Sequence, residues 1–185
     1  MKDIHSREFD VRPADLARLV VRSWSGAADD PFPRDVIATW RKNPAGVADG
    51  ALVPGVTLLG HAGLAFRFER WDGRSFALAS VHPAFRGRHA FHLVETTNGT
   101  RLVHELELEL TGASRVVWPV VLRPLHAWAI EALFDRLEIA LRDGRVPDRT
   151  DRPLPILHGL VLRAMGRVRP TSLPSPDDGR LHALA

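Results

Sequence analysis

The chain has 185 residues, 45% of them hydrophobic, with a formal net charge of +3, enough for one good core plus a tail. It has no cysteine, which excludes disulfides, thiolate metal sites and cysteine nucleophiles, and no tyrosine, which removes one common pocket acid. No apolar run of about 18 residues occurs and the opening MKDIHSREFD lacks an apolar signal region, so a cytoplasmic protein without an integral membrane segment is expected. Lys2 and Lys42 are the only lysines, and the many arginines are scattered rather than clustered. No nucleic-acid partner is therefore expected.

Residues 4–11 read as a first strand, and residues 13–22 as a short helix with Pro13 in its first turn and Leu16, Leu19 and Val20 on its buried side. Residues 25–55 are punctuated by proline and glycine, with a two-turn helix expected at Arg34–Arg41 carrying Val36, Ile37 and Trp40. A surface connection is the simpler reading of this stretch, and a lid over a pocket the sharper one.

Strand character begins at Val56–Gly60. Leu64–Trp71 and Arg74–His82 then flank Asp72-Gly73, a strong hairpin signal. Alternation groups Phe66, Phe68, Ala77, Ala79 and Val81 on one face, and Arg67, Glu69, Trp71, Phe76 and Leu78 on the other. A second hairpin joins Arg86–Thr97 to Thr100–Thr111 through Asn98-Gly99. With Asn98 and Gly99 as the two turn residues, Thr97 faces Thr100. One face then collects His89, Phe91, Leu93, Glu95, Leu102, His104, Leu106 and Leu108. The other face pairs Arg88 with Glu109, Ala90 with Glu107 and His92 with Glu105, and is read as solvent.

Trp118–Pro124 leads into a long helix over residues 125–142, stopped by Gly144 and Pro147. Its apolar stripe is Leu125, Trp128, Ala129, Ala132, Leu133, Leu137, Ala140 and Leu141, opposite Glu131, Asp135, Glu138 and Arg142. Glu138 and Arg142 form a favourable i,i+4 pair. Arg136 falls inside the stripe, where an arginine must reach water or meet an acid. Beyond residue 145 the chain becomes a linker, a short amphipathic helix at residues 156–168 and a disordered tail from residue 170. The expected organisation is thus one domain over residues 1–145 and an appendage over 146–185.

The strand and helix His5–Val20, the Gly60-His61-Ala62-Gly63 turn, Gly87-Arg88-His89-Ala90-Phe91 and the strand pair around Asn98-Gly99-Thr100-Arg101-Leu102-Val103-His104 form a combination. With Trp118-Pro119-Val120-Val121-Leu122-Arg123-Pro124-Leu125-His126 running into Asp135-Arg136-Leu137-Glu138, it resembles the START-like, Bet v 1-like superfamily, which includes polyketide cyclases. The likeness is to bacterial members of actinobacterial type and covers about residues 1–145. It implies an α+β helix-grip fold: a curved antiparallel sheet around a long C-terminal helix, with a hydrophobic cavity between them. No catalytic motif of the family is present to carry over.

His104 is the candidate catalytic residue, an imidazole on a strand facing the helix; the plainer reading is a satisfied core histidine. The expected ligand-binding set is His104, Arg136, His89, Phe91, Trp128, Leu106 and Leu133. Glu95 is either a partner of Arg136 or solvated at the hairpin end. His61 serves a turn, His82 precedes a proline, and Arg67 and Glu69 are pocket or surface residues. His89 and His92 point to opposite faces, as do His104 and Glu105, so no metal is expected, and no cofactor. The partner expected is a small hydrophobic molecule, aromatic or polyketide-like. The alternatives are a cyclase or dehydratase using the same cavity and a cavity-poor interaction domain, and a homo-oligomer is compatible with either.

Overall fold

Seven strands form one antiparallel sheet: β1 (Lys2–Phe9), β2 (Thr39–Lys42), β3 (Leu58–His61), β4 (Leu64–Trp71), β5 (Ser75–Ser80), β6 (Phe85–Thr96) and β7 (Gly99–Leu110), ordered β1-β7-β6-β5-β4-β3-β2. Between β1 and β2 lies α1 (Pro13–Arg22). After β7 come a single turn, α2 (Ser114–Val117), a π-helical turn at Trp118–Leu122, and α3 (Arg123–Asp143). This α+β arrangement, a curved sheet with a long C-terminal helix, is the helix-grip fold. The computed structural model describes residues 1–24, 31, 39–48, 51–61, 64–82, 85–147 and 152–153, all within the unit Met1–Pro153. The expected helix at residues 156–168, the tail from 170 and most of Arg34–Arg41 lie outside the described residues. The last part of that expected helix, from Thr39, is instead strand β2 paired to β3.

The long helix behaves as its pattern requires, and more. Leu125, Trp128, Ala129, Ala132, Leu133, Leu137 and Ala140 are buried, but so are Ile130 and Phe134. The buried arc is therefore wider than one stripe, because β1 covers a second side of α3: Phe9 meets Phe134 edge-to-face at 6.3 Å. Glu131 and Asp135, expected in solvent, lie on that second side. Arg7 of β1 donates to both, at 2.8 Å and 2.7 Å. Arg142 pairs with Asp143 at 2.8 Å, where Glu138 was expected. By length and composition the helical stretch Ser114–Asp143 would pass for a membrane span, yet ten residues of α3 are buried within this domain.

Both hairpins depart from the expected register, with opposite consequences. In β6–β7 the observed pairs include Thr96 with Gly99, Phe91 with His104 and Arg88 with Glu107. The turn residues are Thr97 and Asn98, one position earlier than expected. Each partner therefore changes by two, and a change of two keeps every side chain on its face. The reason lies at Gly99, whose φ is +150° and where a Cβ would run into the Phe9 carbonyl. The glycine serves the close approach of β1 rather than the turn.

In β4–β5 the loop opens to four residues: Trp71 pairs with Phe76, and the Asp72 carboxylate accepts from the Arg74 and Ser75 amides. A bulge between Phe68 and Arg70 follows. Phe68 then faces Leu78, and Phe76 and Leu78 join Phe66 and Phe68 in the core. The alternation had placed Phe76 and Leu78 with Arg67 and Glu69. An odd shift flips the face, and so that grouping fails. Glu69 is on the surface, paired with Arg88 at 2.8 Å.

Gly99→Ala should cost about 1–3 kcal/mol in urea unfolding, since it combines a disfavoured φ with a backbone collision. Gly46→Ala, also at positive φ (+86°) but with nothing near its Cβ, should cost less. Equal losses would contradict the close-approach argument.

Candidate functional site

Strand β1 inverts the usual alternation. Ile4 points outward and is 54% exposed, while Asp3, His5, Arg7 and Phe9 face inward. An inward polar row requires polar partners, and α3 and its N-terminal turn supply them. Asp3 accepts from Arg123 Nε at 3.2 Å and contacts His5 Nε2 at 3.3 Å. Its Oδ2 lies 3.5 Å from His126 Nδ1. His5 Nδ1 is 3.4 Å from Glu131.

The sheet adds two more imidazoles. His104 on β7 stands directly opposite His5 on β1 and opposite Phe91 on β6. His89 sits diagonally across from it on β6. His104 and His89 are 0% and 1% exposed. Their ring centroids are 4.3 Å apart, and His126 lies 5.0 Å from His104 and 5.5 Å from His89. His89 Nε2 is 3.3 Å from His126 Nε2 and 3.1 Å from His104 Nε2. Aromatic rings surround the cluster: Trp24 and Phe66 beside His89, Phe91 beside His104, and Trp118 beside His126.

Burial pulls the His126 imidazole below its ordinary value near 6.5, against the opposing pull of Asp3. The Asp3 carboxyl is held well below the usual carboxylate range, chiefly by His126 and further by His5 and Arg123, although burial opposes this. His126 is therefore neutral at pH 7. Asp3 can only accept, so it favours the tautomer with the proton on Nδ1 and leaves the His126 Nε2 lone pair facing His89.

Beside the cluster is a narrow slot of about 20 Å³, room for one water-sized group. Its walls are Phe66, Phe85, Leu106, Leu108 and Trp118, with Ser80, His89 and His126 completing the lining. Among the described residues, imidazole and aromatic rings thus occupy part of the place where the family resemblance implies a hydrophobic cavity.

Of the expected ligand-binding residues, His104, His89 and Phe91 come together, and Leu106 lines the adjoining slot. Arg136, Trp128 and Leu133 do not join them. Arg136 is ten residues beyond His126, about 15 Å along the helix axis. It is 3% exposed, and its Nε donates to the Pro31 carbonyl at 3.0 Å. Trp128 Nε1 donates to the Arg152 carbonyl at 3.4 Å, and Leu133 is core. Glu95 is exposed, at the hairpin end. The residues not anticipated are Asp3, His5 and His126. A signal for His126 existed: His126, Ile130 and Phe134 recur every four residues, marking a second buried row on the helix.

No family model matches the chain, and no curated protein matches it. Its likeness is to solved structures. A Nitrosomonas europaea protein aligns at 14% identity with a TM-score of 0.52, covering 78% of this chain and 96% of that one. A Thermobifida fusca protein aligns at 17% identity with a TM-score of 0.52, covering 74% and 92%. Ara h 8.0201 aligns at 11% identity with a TM-score of 0.52, covering 77% and 98%. At these identities the likeness establishes the fold, which is of the Bet v 1-like kind.

Because folded His126 binds its proton less readily than the unfolded residue, the unfolded state gains a proton first as pH falls below about 6.5. Stability should therefore decline with acidification from that point. Asp3, depressed in the folded state, should add a further loss below about pH 4. Urea midpoints at pH 7.5, 5.5 and 3 check this, and His126→Gln should flatten the upper part of the curve. A wild-type midpoint that does not change between pH 7.5 and 5.5 would remove the argument.

Proposed function

We propose that the protein binds a small, largely apolar molecule whose polar end is received by His89 and His126. The observation that supports this is the slot itself, in which apolar and aromatic walls converge on two imidazoles. That is the composition of a ligand site, with apolar area for affinity and few polar groups for orientation. Pockets for drug-sized ligands measure roughly 300–1,000 Å³, against about 20 Å³ here. A compact aromatic molecule bearing one hydroxyl or carbonyl group fits this reading better than a polyketide-length chain. Even so, its ring must displace the half-buried Phe85 at the slot wall.

One observation favours a second reading, in which the same site moves a proton. A neutral buried histidine oriented by a carboxylate, as His126 is by Asp3, has the arrangement of a general base and its orienting group. In that case His126→Gln would abolish turnover while leaving ligand affinity within a few-fold.

Native mass spectrometry of freshly purified full-length chain, followed by denaturing extraction, should reveal a stoichiometric small apolar adduct. Phenols and small aromatic ketones at a hundredfold excess over Kd should raise Tm by about 5–10 °C. Leu106→Trp, which fills the slot at an overpacking cost of about 1–3 kcal/mol, should abolish that rise. A clean apo mass together with no thermal response across the panel would end the binding reading.

A further inference from the structure

We propose that His89, His104 and His126 form a binding site for a divalent transition-metal ion of the zinc class, with its open position toward the apolar slot. The inference stands on the imidazole geometry and does not depend on the ligand reading above. The three residues come from β6, β7 and α3, and one ring nitrogen of each lies within 4.8 Å of the others. Tetrahedral zinc with Zn–N bonds of about 2.0–2.1 Å places neighbouring ligand nitrogens about 3.3 Å apart. The observed Nε2 separations are 3.3 Å for His89–His126 and 3.1 Å for His104–His89. The expectation of no metal compared only residues close in sequence, and the third imidazole arrives from the helix.

A chain of imidazole hydrogen bonds accounts for the cluster less well. His104 Nε2 is nearly equidistant from the two ring nitrogens of His89, at 3.1 Å and 3.3 Å, whereas each imidazole nitrogen has one in-plane direction in which to donate or accept.

The surroundings fit a metal as well. Asp3 lies 3.5 Å from His126 Nδ1 and is itself anchored by Arg123. A carboxylate on the far nitrogen of a ligating histidine fixes its tautomer and raises its basicity. Neutral imidazoles suit zinc, copper, nickel and ferrous iron. The slot, at about 20 Å³, has room for the single water that completes a three-histidine site. Asp3, His5 and His126 could also hold an ion, but Arg123 Nε sits 3.2 Å from Asp3 Oδ1. That fixed positive charge repels a cation there and favours the three-histidine centre.

The test uses the full chain, stripped with chelator and titrated with Zn²⁺ by calorimetry and with Co²⁺ by visible absorption. One equivalent of Zn²⁺ per chain is expected, with Tm raised in its presence. His89→Gln and His104→Gln should each weaken binding at least a hundredfold, and Asp3→Asn by about 10–100-fold. Wild-type protein with Co²⁺ should show the intense absorption of a four-coordinate ion, a readout that survives if a variant fails to fold. Substoichiometric Zn²⁺, or a pale six-coordinate Co²⁺ spectrum, would mean an adventitious ion only and overturn the proposal. So would binding that persists in His89→Gln and His104→Gln but is lost in His5→Gln, which would place the ion at the Asp3–His5–His126 group.

Discussion

The structure depends on the seam between an edge strand and a helix. β1 presents Asp3, His5, Arg7 and Phe9 to α3 in steps of two, and the helix answers with Arg123 and His126, Glu131, Asp135 and Phe134. From Asp3 to Arg7 the strand advances about 13.6 Å, and from His126 to Asp135 the helix advances about 13.5 Å, so strand and helix stay in step over these three contacts. Each inward polar group finds a partner that an apolar helix face could not provide. The charged pairs are partly solvated, Arg7 being 23% exposed and Asp135 35%, so each stabilises modestly. Their larger effect is on position: they fix where the strand lies over the helix, and Asp3 and His5 with it.

From that position the interior chemistry follows. Once β1 is beside β7, His5 stands opposite His104, and the helix N-terminal turn brings His126 over both. The π-helical turn at Trp118–Leu122 precedes this point and carries the buried Trp118, whose ring lies 5.7 Å from His126. Among the described residues, histidine and aromatic rings thereby occupy part of the place between sheet and helix where the fold type implied an open cavity. Beside them, among the described residues, lies a slot of one water's size, walled by hydrocarbon and ending on imidazole nitrogens.

The sequence made the architecture legible because it depends on features that repeat. The 3.6-residue period gave the long helix, the two hairpin signals gave the meander, and Pro13 marked the first helix. The inward face of β6 and β7, His104 and His89 included, was also readable, since a two-residue error in register leaves the face intact. Where a single residue decided the outcome, reading failed. The Phe68–Arg70 bulge and the four-residue loop at Asp72 turned Phe76 and Leu78 inward, and neither has a signature that alternation can reveal. The site was half legible for a related reason. Asp3 and His5 flank Ile4, a hydrophobic residue that points outward, so alternation over the start of this strand points the wrong way. Arg136 was rightly placed inside the stripe but lies too far along α3 to reach the histidines.

The pairing of β1 with β7 also sets the order in which the molecule can be completed. Lys2 pairs with Glu107 and Phe9 with Thr100, and Asp3 meets His126 from 123 positions away in the chain. Contacts of such separation require closing a long loop before they return any stabilisation, and they tend to form late in folding. The β4–β7 meander can pair locally while the polar cluster is still apart. The histidine centre is thus a property of the finished molecule only. Whatever occupies it stabilises the closed state alone, so occupancy acts as a latch on the last and most distant contacts of the fold.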